Sequence, residues 1–254
     1  MSGINNDWEF LVQCYSPHLV QRLGEISTGY DMHFYAVDAI HEGFSDDFRF
    51  NTWFGNGVTD ESVVFSIGQE LLSLFNGACN ILFKDHHKIE IEDIWFKGLA
   101  RRPFGNLFLR DVRLTEGDVN AGDCYKNEHI EGLKNSQIFT LVHLSKSRDD
   151  VFHLLKAFAS DPDWTRLSTI LEAVERFSNN NQIAIAVDAR KKKSFAHTAN
   201  NFLVLGMSAR HGHLNFDPPA QPMGLVDAQQ FIKAIVKEYL SEVCRLFLEG
   251  VPHA

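Results

Sequence analysis

The sequence predicts an α+β protein: an N-terminal antiparallel β-sheet domain with one packed helix, followed by a C-terminal four-helix bundle. Short runs between residues 8 and 54 favour strands, and one of them alternates regularly. Beyond residue 147, apolar residues recur every three or four positions, which is the period of a helix. We therefore expect a β-rich acidic domain over residues 1–146 and a helical bundle over residues 147–254.

The first strands are predicted from composition and alternation. The runs 8–15, 32–40 and 48–54 are rich in residues that favour strands. Successive side chains of a strand point to opposite faces, so Phe48, Phe50 and Phe54 would share one face of the sheet. This pattern is typical of half-buried antiparallel strands.

One helix and further strands are predicted in the rest of the first half. Residues 64–81 carry apolar side chains at helical spacing. The runs 89–96, 104–114 and 138–144 then favour strands, and the Gly- and Asp-rich stretch 116–135 favours a flexible loop. The simplest arrangement of these elements is one helix packed on an antiparallel sheet.

Four helices are predicted in the second half. Residues 147–150 have the shape of a capping box, and Asp161-Pro162 would end the helix that they begin. Asp163 can cap the second helix. The third includes residues 195–206, and the last, over residues 228–247, has the most regular apolar face. Four such helices make a small bundle.

The net charge of −9 is spread unevenly along the chain. Residues 1–146 hold 12 Lys and Arg against 21 Asp and Glu, whereas residues 147–254 hold 12 against 12. An acidic chain does not coat nucleic acid with its whole surface. Residues 188–213, however, contain five cations, one acid and three histidines, so this segment is where we expect an anion to bind.

The N-terminal end of this segment carries the first candidate site residues. Arg190 is followed by Lys191, Lys192 and Lys193 at the start of the third helix, and His197 comes seven residues after Arg190. Seven residues are two helical turns, so Arg190 and His197 share a face. The simpler alternative for the lysines is a solvated helix start or loop.

The other end of the segment contains Arg210, His211 and His213, and Gly212 between the histidines can end the helix. Arg binds phosphate bidentately and His exchanges protons near neutral pH, and cleavage of an RNA phosphodiester needs both. The alternative is a C-terminal cap, because cations are favoured there by the helix dipole. The candidate catalytic residues are Arg210, His211, His213, Arg190 and His197, and the candidate RNA-binding residues are Lys191, Lys192 and Lys193.

On these residues and the helix order, residues 147–248 resemble the HEPN superfamily, including its Apea-like group from prokaryotic antiviral defence and toxin systems. The family signature is Arg, a polar residue, three to five further positions and His. Arg190 and His197 keep this spacing at its upper limit, with Lys191 where the family has Asn, Asp or His. Arg210-His211 keeps the Arg-polar start, and two residues separate Arg210 from His213. The resemblance implies a homodimeric, metal-independent endoribonuclease, or a related module that only binds RNA.

No cofactor and no metal site are predicted. The four cysteines lie far apart without a CxxC pair, which disfavours a zinc site and a compact disulfide framework. His86 and His87 lie near acidic residues, but adjacent side chains of an extended chain point to opposite faces, so a metal-dependent enzyme at this place is the least favoured hypothesis. The P-loop, dinucleotide-binding, serine hydrolase and zincin motifs do not occur.

The expected location is the cytoplasm. Residues 1–9 lack the basic and apolar regions of a signal peptide, and no apolar run approaches the roughly 20 residues of a membrane span. We expect no membrane partner.

The acidic first half would act as a sensor or bind a partner protein. A second hypothesis, from another functional class, is a non-catalytic interaction or sensor subunit of a defence or regulatory complex.

Overall fold

The computed structural model of the chain describes residues 7–13, 31–38, 46–84, 88–101, 114, 123–210 and 217–250. The fold over these residues is α+β, as predicted, with an antiparallel sheet near the N-terminus and helices that lie mostly in the second half. None of the described helices is both long and apolar enough to cross a membrane.

Five strands of the described chain form one antiparallel sheet: β1 (Trp8–Gln13), β2 (His33–Asp38), β3 (Asp46–Asn51), β4 (Glu90–Phe96) and β5 (Leu99–Arg101). Their order is β2-β3-β1-β4-β5, so the N-terminal strand lies at the centre. Trp8, Phe10 and Val12 alternate with less buried residues and form the core face. Phe10 lies opposite Phe50 of β3, with the two rings stacked at 4.6 Å.

Helix α1 (Glu61–Leu82) packs on this sheet. Asp60 caps its N-terminus by accepting hydrogen bonds from the backbone amides of Ser62 and Val63. Gly68 faces the ring of Phe10 so closely that no β-carbon would fit between them. The helix therefore lies directly against the central strand.

The side chain of Asn76 on α1 joins the helix to the segment before β4. Its amide nitrogen donates to the carbonyl oxygen of Ile89 at 2.8 Å, and its oxygen accepts from the amide of Ile89 at 3.0 Å. Both groups are buried, so this amide satisfies polar backbone atoms that water cannot reach.

Seven further helices follow in the described residues: α2 (Asp123–Asn135), α3 (Gln137–Leu144), α4 (Asp149–Ala157), α5 (Trp164–Asn181), α6 (Ala189–Ala199), the short α7 (Phe202–Leu205) and α8 (Leu225–Gly250). Helices α4, α5, α6 and α8 correspond to the four helices predicted in the second half. Helix α1 packs against α3, α4 and α8 as well as on the sheet.

The prediction of a strand over residues 138–144 is wrong, because these residues lie in α3. Ser136 caps this helix, and nearly every side chain in it is buried. A short apolar run that is buried on all sides lacks the period that distinguishes a helix from a strand. The predicted loop over residues 116–135 is also wrong in part, because residues 123–135 form α2. The predicted strand 104–114 lies outside the described residues except for Leu114.

Two predicted helix boundaries differ from the structure. Arg148 stands at the N-cap of α4 without a side-chain cap, and its guanidinium binds Asp150 instead, so residues 147–150 do not form a capping box. The third predicted helix ends at Ala199 and does not continue to Gly206. Asn201 begins the separate α7 by accepting from the amide of Val204 at 3.1 Å. Asn is favoured at caps for this reason.

One hydrophobic core runs through the described structure, from Phe10 on the sheet through α1 to Val243 on α8. The core contains residues from both sides of the predicted domain boundary at 146 and 147. The division into domains 1–146 and 147–254 stays a prediction.

Candidate functional site

The predicted cationic residues form the first turn of α6, which we call the cationic turn: Arg190, Lys191, Lys192 and Lys193. Asp188 caps the helix and accepts from the backbone amides of Arg190 at 2.8 Å and Lys191 at 3.1 Å. The same hydrogen bonds lower the pKa of Asp188 and keep its carboxylate charged. The predicted helix start is therefore confirmed in its position.

The side chains of the cationic turn differ in their pairing. The ammonium of Lys192 pairs with Glu175 of α5. Arg190, Lys191 and Lys193 are exposed, and none of the described carboxylates lies within ion-pair distance of them. Three cations at one helix start are thus open to an anion from solution.

His197 lies two turns further along α6 and is exposed. Its backbone is about 10 Å from that of Arg190 along the helix axis, and both residues lie on the same helix face. Two side chains on one helix face at this separation can contact the same extended RNA strand.

The backbone of Arg210 lies against the C-terminal end of α6, the end that carries His197, and not against the cationic turn. Its backbone amide donates to the carbonyl oxygen of Ala199 at 2.8 Å. Its guanidinium pairs with Glu172 of α5 at 2.5 Å. The structure therefore brings Arg210 towards the His197 end of the helix with its charge already balanced. His211, Gly212 and His213 lie outside the described residues.

A cleft of about 540 Å³ lies between α1, the segment 88–91 and α4. Near it, the buried carboxylate of Glu70 accepts from the ammonium of Lys156 at 2.8 Å. Arg166 also lines the cleft, together with Ser66, Ser73 and Ser160. The volume of the cleft lies in the range of small-molecule sites. The sequence offered no signal for this cleft, because its walls come from four separate segments.

A buried cluster of Asp31, His129, His143 and Lys146 was also missed from the sequence. His143 Nδ1 lies 2.9 Å from Asp31 Oδ2 and 3.3 Å from His129 Nε2. The ammonium of Lys146 donates to Asp31 Oδ1 at 2.9 Å. Burial would raise the pKa of Asp31, but the His143 hydrogen bond and the charge of Lys146 outweigh it and hold this pKa at about 2.

Three segments meet in this buried cluster: the residue pair before β2, helix α2, and the end of α3 with the turn that follows it. The only local signal was the spacing of His143 and Lys146, which share a face only if residues 137–146 are helical. Because residues 138–144 were predicted to form a strand, the sequence did not predict this cluster. The histidines of the least favoured metal site, His86 and His87, lie outside the described residues.

No protein-family model, no curated protein and no solved structure matches this chain.

Proposed function

We propose that this chain binds RNA at the cationic turn and cleaves it without a metal ion, as the resemblance to HEPN proteins implies. The observation that carries the proposal is the exposure of Arg190, Lys191 and Lys193 without carboxylate partners in the described structure. Exposed cations without carboxylate partners contribute most to the free energy of binding a phosphate backbone, because their binding releases counterions and breaks no ion pair.

The chemistry follows from the residues on the same face of α6. His197 would accept the proton of a ribose 2′-hydroxyl, and the 2′-oxygen would attack the adjacent phosphorus. Arg190 would stabilise the extra negative charge on the phosphoryl oxygens with paired N–H donors. The bond from phosphorus to the 5′-oxygen would break, and the leaving oxygen would take a proton, which yields a 2′,3′-cyclic phosphate and a 5′-hydroxyl end.

A homodimer would supply the second proton-transfer group. Leu203 and Met207, which follow α6, are 66% and 90% exposed. Exposed apolar patches are typical of interfaces, and we infer that these two side chains belong to one. Pairing two chains over these residues would bring two copies of the His197 end of α6 together, so that one histidine acts as base and the other as acid.

The setting of this activity would be the cytoplasm of a prokaryotic cell with an RNA-targeting defence or toxin system. Cys79 and Cys244 are free and buried, which suits a reducing compartment. The acidic first half would then recognise a trigger or a partner protein.

RNA cleavage by the His197→Ala variant tests the catalytic part of the proposal. We expect cleavage of labelled single-stranded RNA in EDTA to fall by about 100-fold or more, because general acid–base catalysis contributes that much. RNA affinity should change by less than about twofold. His153→Ala is the matched control, since His153 is also an exposed helical histidine in the same half. Equal loss in both variants, or unchanged cleavage in His197→Ala, would reject His197 as the catalytic base.

The binding part is tested by replacing Arg190, Lys191 and Lys193 together with alanine. We expect weaker binding to all RNA sequences. The slope of log Kd against the logarithm of the salt concentration should fall by about 2, because each phosphate contact to a single strand contributes roughly 0.7 to that slope. Arg176→Ala, which removes another exposed cation from α5, should leave the salt slope unchanged. An unchanged slope in the triple variant would show that RNA binds elsewhere.

A second candidate function is that of a non-catalytic sensor, and the cleft beside Glu70 and Lys156 favours it. Its volume suits a small metabolite, and Arg166 and Lys156 suit an anionic group on that metabolite. Nucleoside monophosphates at millimolar concentration should then raise the melting temperature of the wild-type protein and not that of Arg166→Ala. If both proteins show no shift, the sensor hypothesis loses its support for this ligand class.

A further inference from the structure

The buried cluster uses none of the residues proposed for RNA binding, and it contains an unusual concentration of metal-ligand types. Asp31 is 5% exposed, and the side chains of His129 and His143 are 12% and 18% exposed. Among the described residues, Asp31, His129 and His143 form a group in which one donor atom from each side chain lies within 4.8 Å of the other two.

The three donor atoms form a triangle of a definite size. Asp31 Oδ2, His143 Nδ1 and His129 Nε2 are separated by 2.9, 3.3 and 3.9 Å. A point about 2 Å from all three atoms exists, and 2.0–2.2 Å is roughly the length of zinc bonds to imidazole nitrogen and carboxylate oxygen. A triangle of this size is one face of a tetrahedron around such an ion. The three distances are therefore compatible with one ion of this size held between the donor atoms.

We propose that Asp31, His129 and His143 bind one divalent transition-metal ion of the zinc class. Two imidazoles and one carboxylate suit Zn²⁺ and its neighbours in the first transition row, whereas Ca²⁺ and Mg²⁺ prefer sites built from oxygen atoms alone. A tetrahedral ion would keep its fourth position for a water molecule or another ligand.

Lys146 positions the carboxylate in this site. Its ammonium binds Asp31 Oδ1 and leaves Oδ2 directed at the two histidines. Hydrogen bonds of this kind fix the orientation of metal ligands in known sites. The positive charge of Lys146 also opposes the ion, so the affinity is lower than that of a site without the lysine.

The ion would hold together segments that are distant in sequence. Asp31 leads into strand β2, His129 belongs to α2, and His143 belongs to α3. Because the ligands are buried and the unfolded chain cannot arrange them, the binding free energy adds to the stability of the fold. The bound ion would therefore stabilise the fold, whichever ligand takes its fourth position.

Cobalt spectroscopy of the full-length chain tests this site. The protein, stripped with EDTA and dialysed, should bind about one Co²⁺ per chain with the visible absorption of a tetrahedral complex, and Zn²⁺ should displace it. Asp31→Asn and His143→Gln, which keep the side-chain size, should weaken Zn²⁺ binding by roughly 100-fold or more. His153→Gln is the control variant, because His153 lies outside the cluster and should bind metal like the wild type.

Thermal unfolding distinguishes a metal site from a plain hydrogen-bond network. EDTA should lower the melting temperature of the wild-type protein and of His153→Gln, and Zn²⁺ should restore it. The melting temperatures of folded Asp31→Asn and His143→Gln should not respond to either reagent. Absence of the cobalt band in the wild type, or its persistence in both variants, would overturn the proposal. Because the two sites share no residue, loss of RNA cleavage in His197→Ala with an intact cobalt band separates this result from the proposed function.

Discussion

Replacing Gly77 by alanine is expected to lower the free energy of unfolding by about 3 kcal/mol, the upper part of the range for overpacked cores. A β-carbon at Gly77 would lie well under 3.0 Å from the carbonyl oxygen of Leu155 on α4. That oxygen belongs to the backbone, so it cannot rotate away as a side chain could. Alanine also favours helix over glycine by about 1 kcal/mol, but this gain is smaller than the cost of separating α1 from α4.

Urea unfolding followed by circular dichroism measures this effect, with a lower midpoint and an unchanged slope as the expected result. Gly250→Ala is the matched control. Gly250 also lies in a helix, and a β-carbon there would meet no atom within 4 Å. Its substitution should be neutral or slightly stabilising. Equal stability of Gly77→Ala and the wild type would mean that α1 and α4 do not approach each other as described.

Replacing Asp150 by asparagine is expected to cost about 2–4 kcal/mol, because it removes one partner of a largely buried ion pair. Arg148 donates to the two carboxylate oxygens of Asp150 at 3.1 and 2.6 Å. The hydroxyl of Tyr239 and the amide of Asn181 donate to Oδ2 as well. Asp150 thus joins the start of α4 to α5 and α8. Asp149→Asn is the control: it is an exposed acid in the same helical turn, and its loss should cost less than about 1 kcal/mol.

The effect of Asp150 also depends on pH. Burial raises its pKa, but the hydrogen bonds from Arg148 and Tyr239 outweigh burial and lower it. The unfolded chain, in which an Asp has a pKa of about 3.9, therefore takes up a proton more readily than the folded chain does. The stabilisation is complete above that pKa and is lost as the pH falls through the lower folded value.

The difference in unfolding free energy between the wild type and Asp150→Asn should consequently be constant from pH 7 to about pH 5 and shrink between pH 5 and pH 2. Urea titrations at several pH values measure it. Asp31 titrates in the same acid range, but it is present in both proteins and cancels in the difference. A difference that grows on acidification would contradict the direction of the Asp150 pKa.

The sequence predicted the elements whose pattern is local. Strand-favouring residues around Phe10 and alternation around Phe50 predicted two neighbouring strands of the sheet. The apolar spacing of residues 64–81 predicted α1, and Asp163 predicted the start of α5. The missed elements are those with an unusual environment. Helix α3 is buried on nearly all sides, and helix α2 is too polar on average to show an apolar face.

The candidate sites divide in the same way. The position of the cationic turn could be predicted because Asp188 and the following cations are adjacent in the chain. The pairing of Arg210 with Glu172 could not be predicted, because the two residues are 38 positions apart and only the packing of the chain brings them together. The cluster around Asp31 depends on contacts across more than 100 residues. Such contacts follow from how the elements pack, and a single sequence does not encode them in any spacing.

Helix α1 has a consequence for cooperativity. It presents Gly68 to the ring of Phe10 on the sheet and Gly77 to the backbone of α4, so one rigid rod is in backbone-close contact with both structural layers. If α1 moved away from the sheet, it would also lose its contact with α4, and the reverse also holds. We therefore expect the sheet and the helices that contact α1 to unfold together, so that a molecule bound to either one stabilises both.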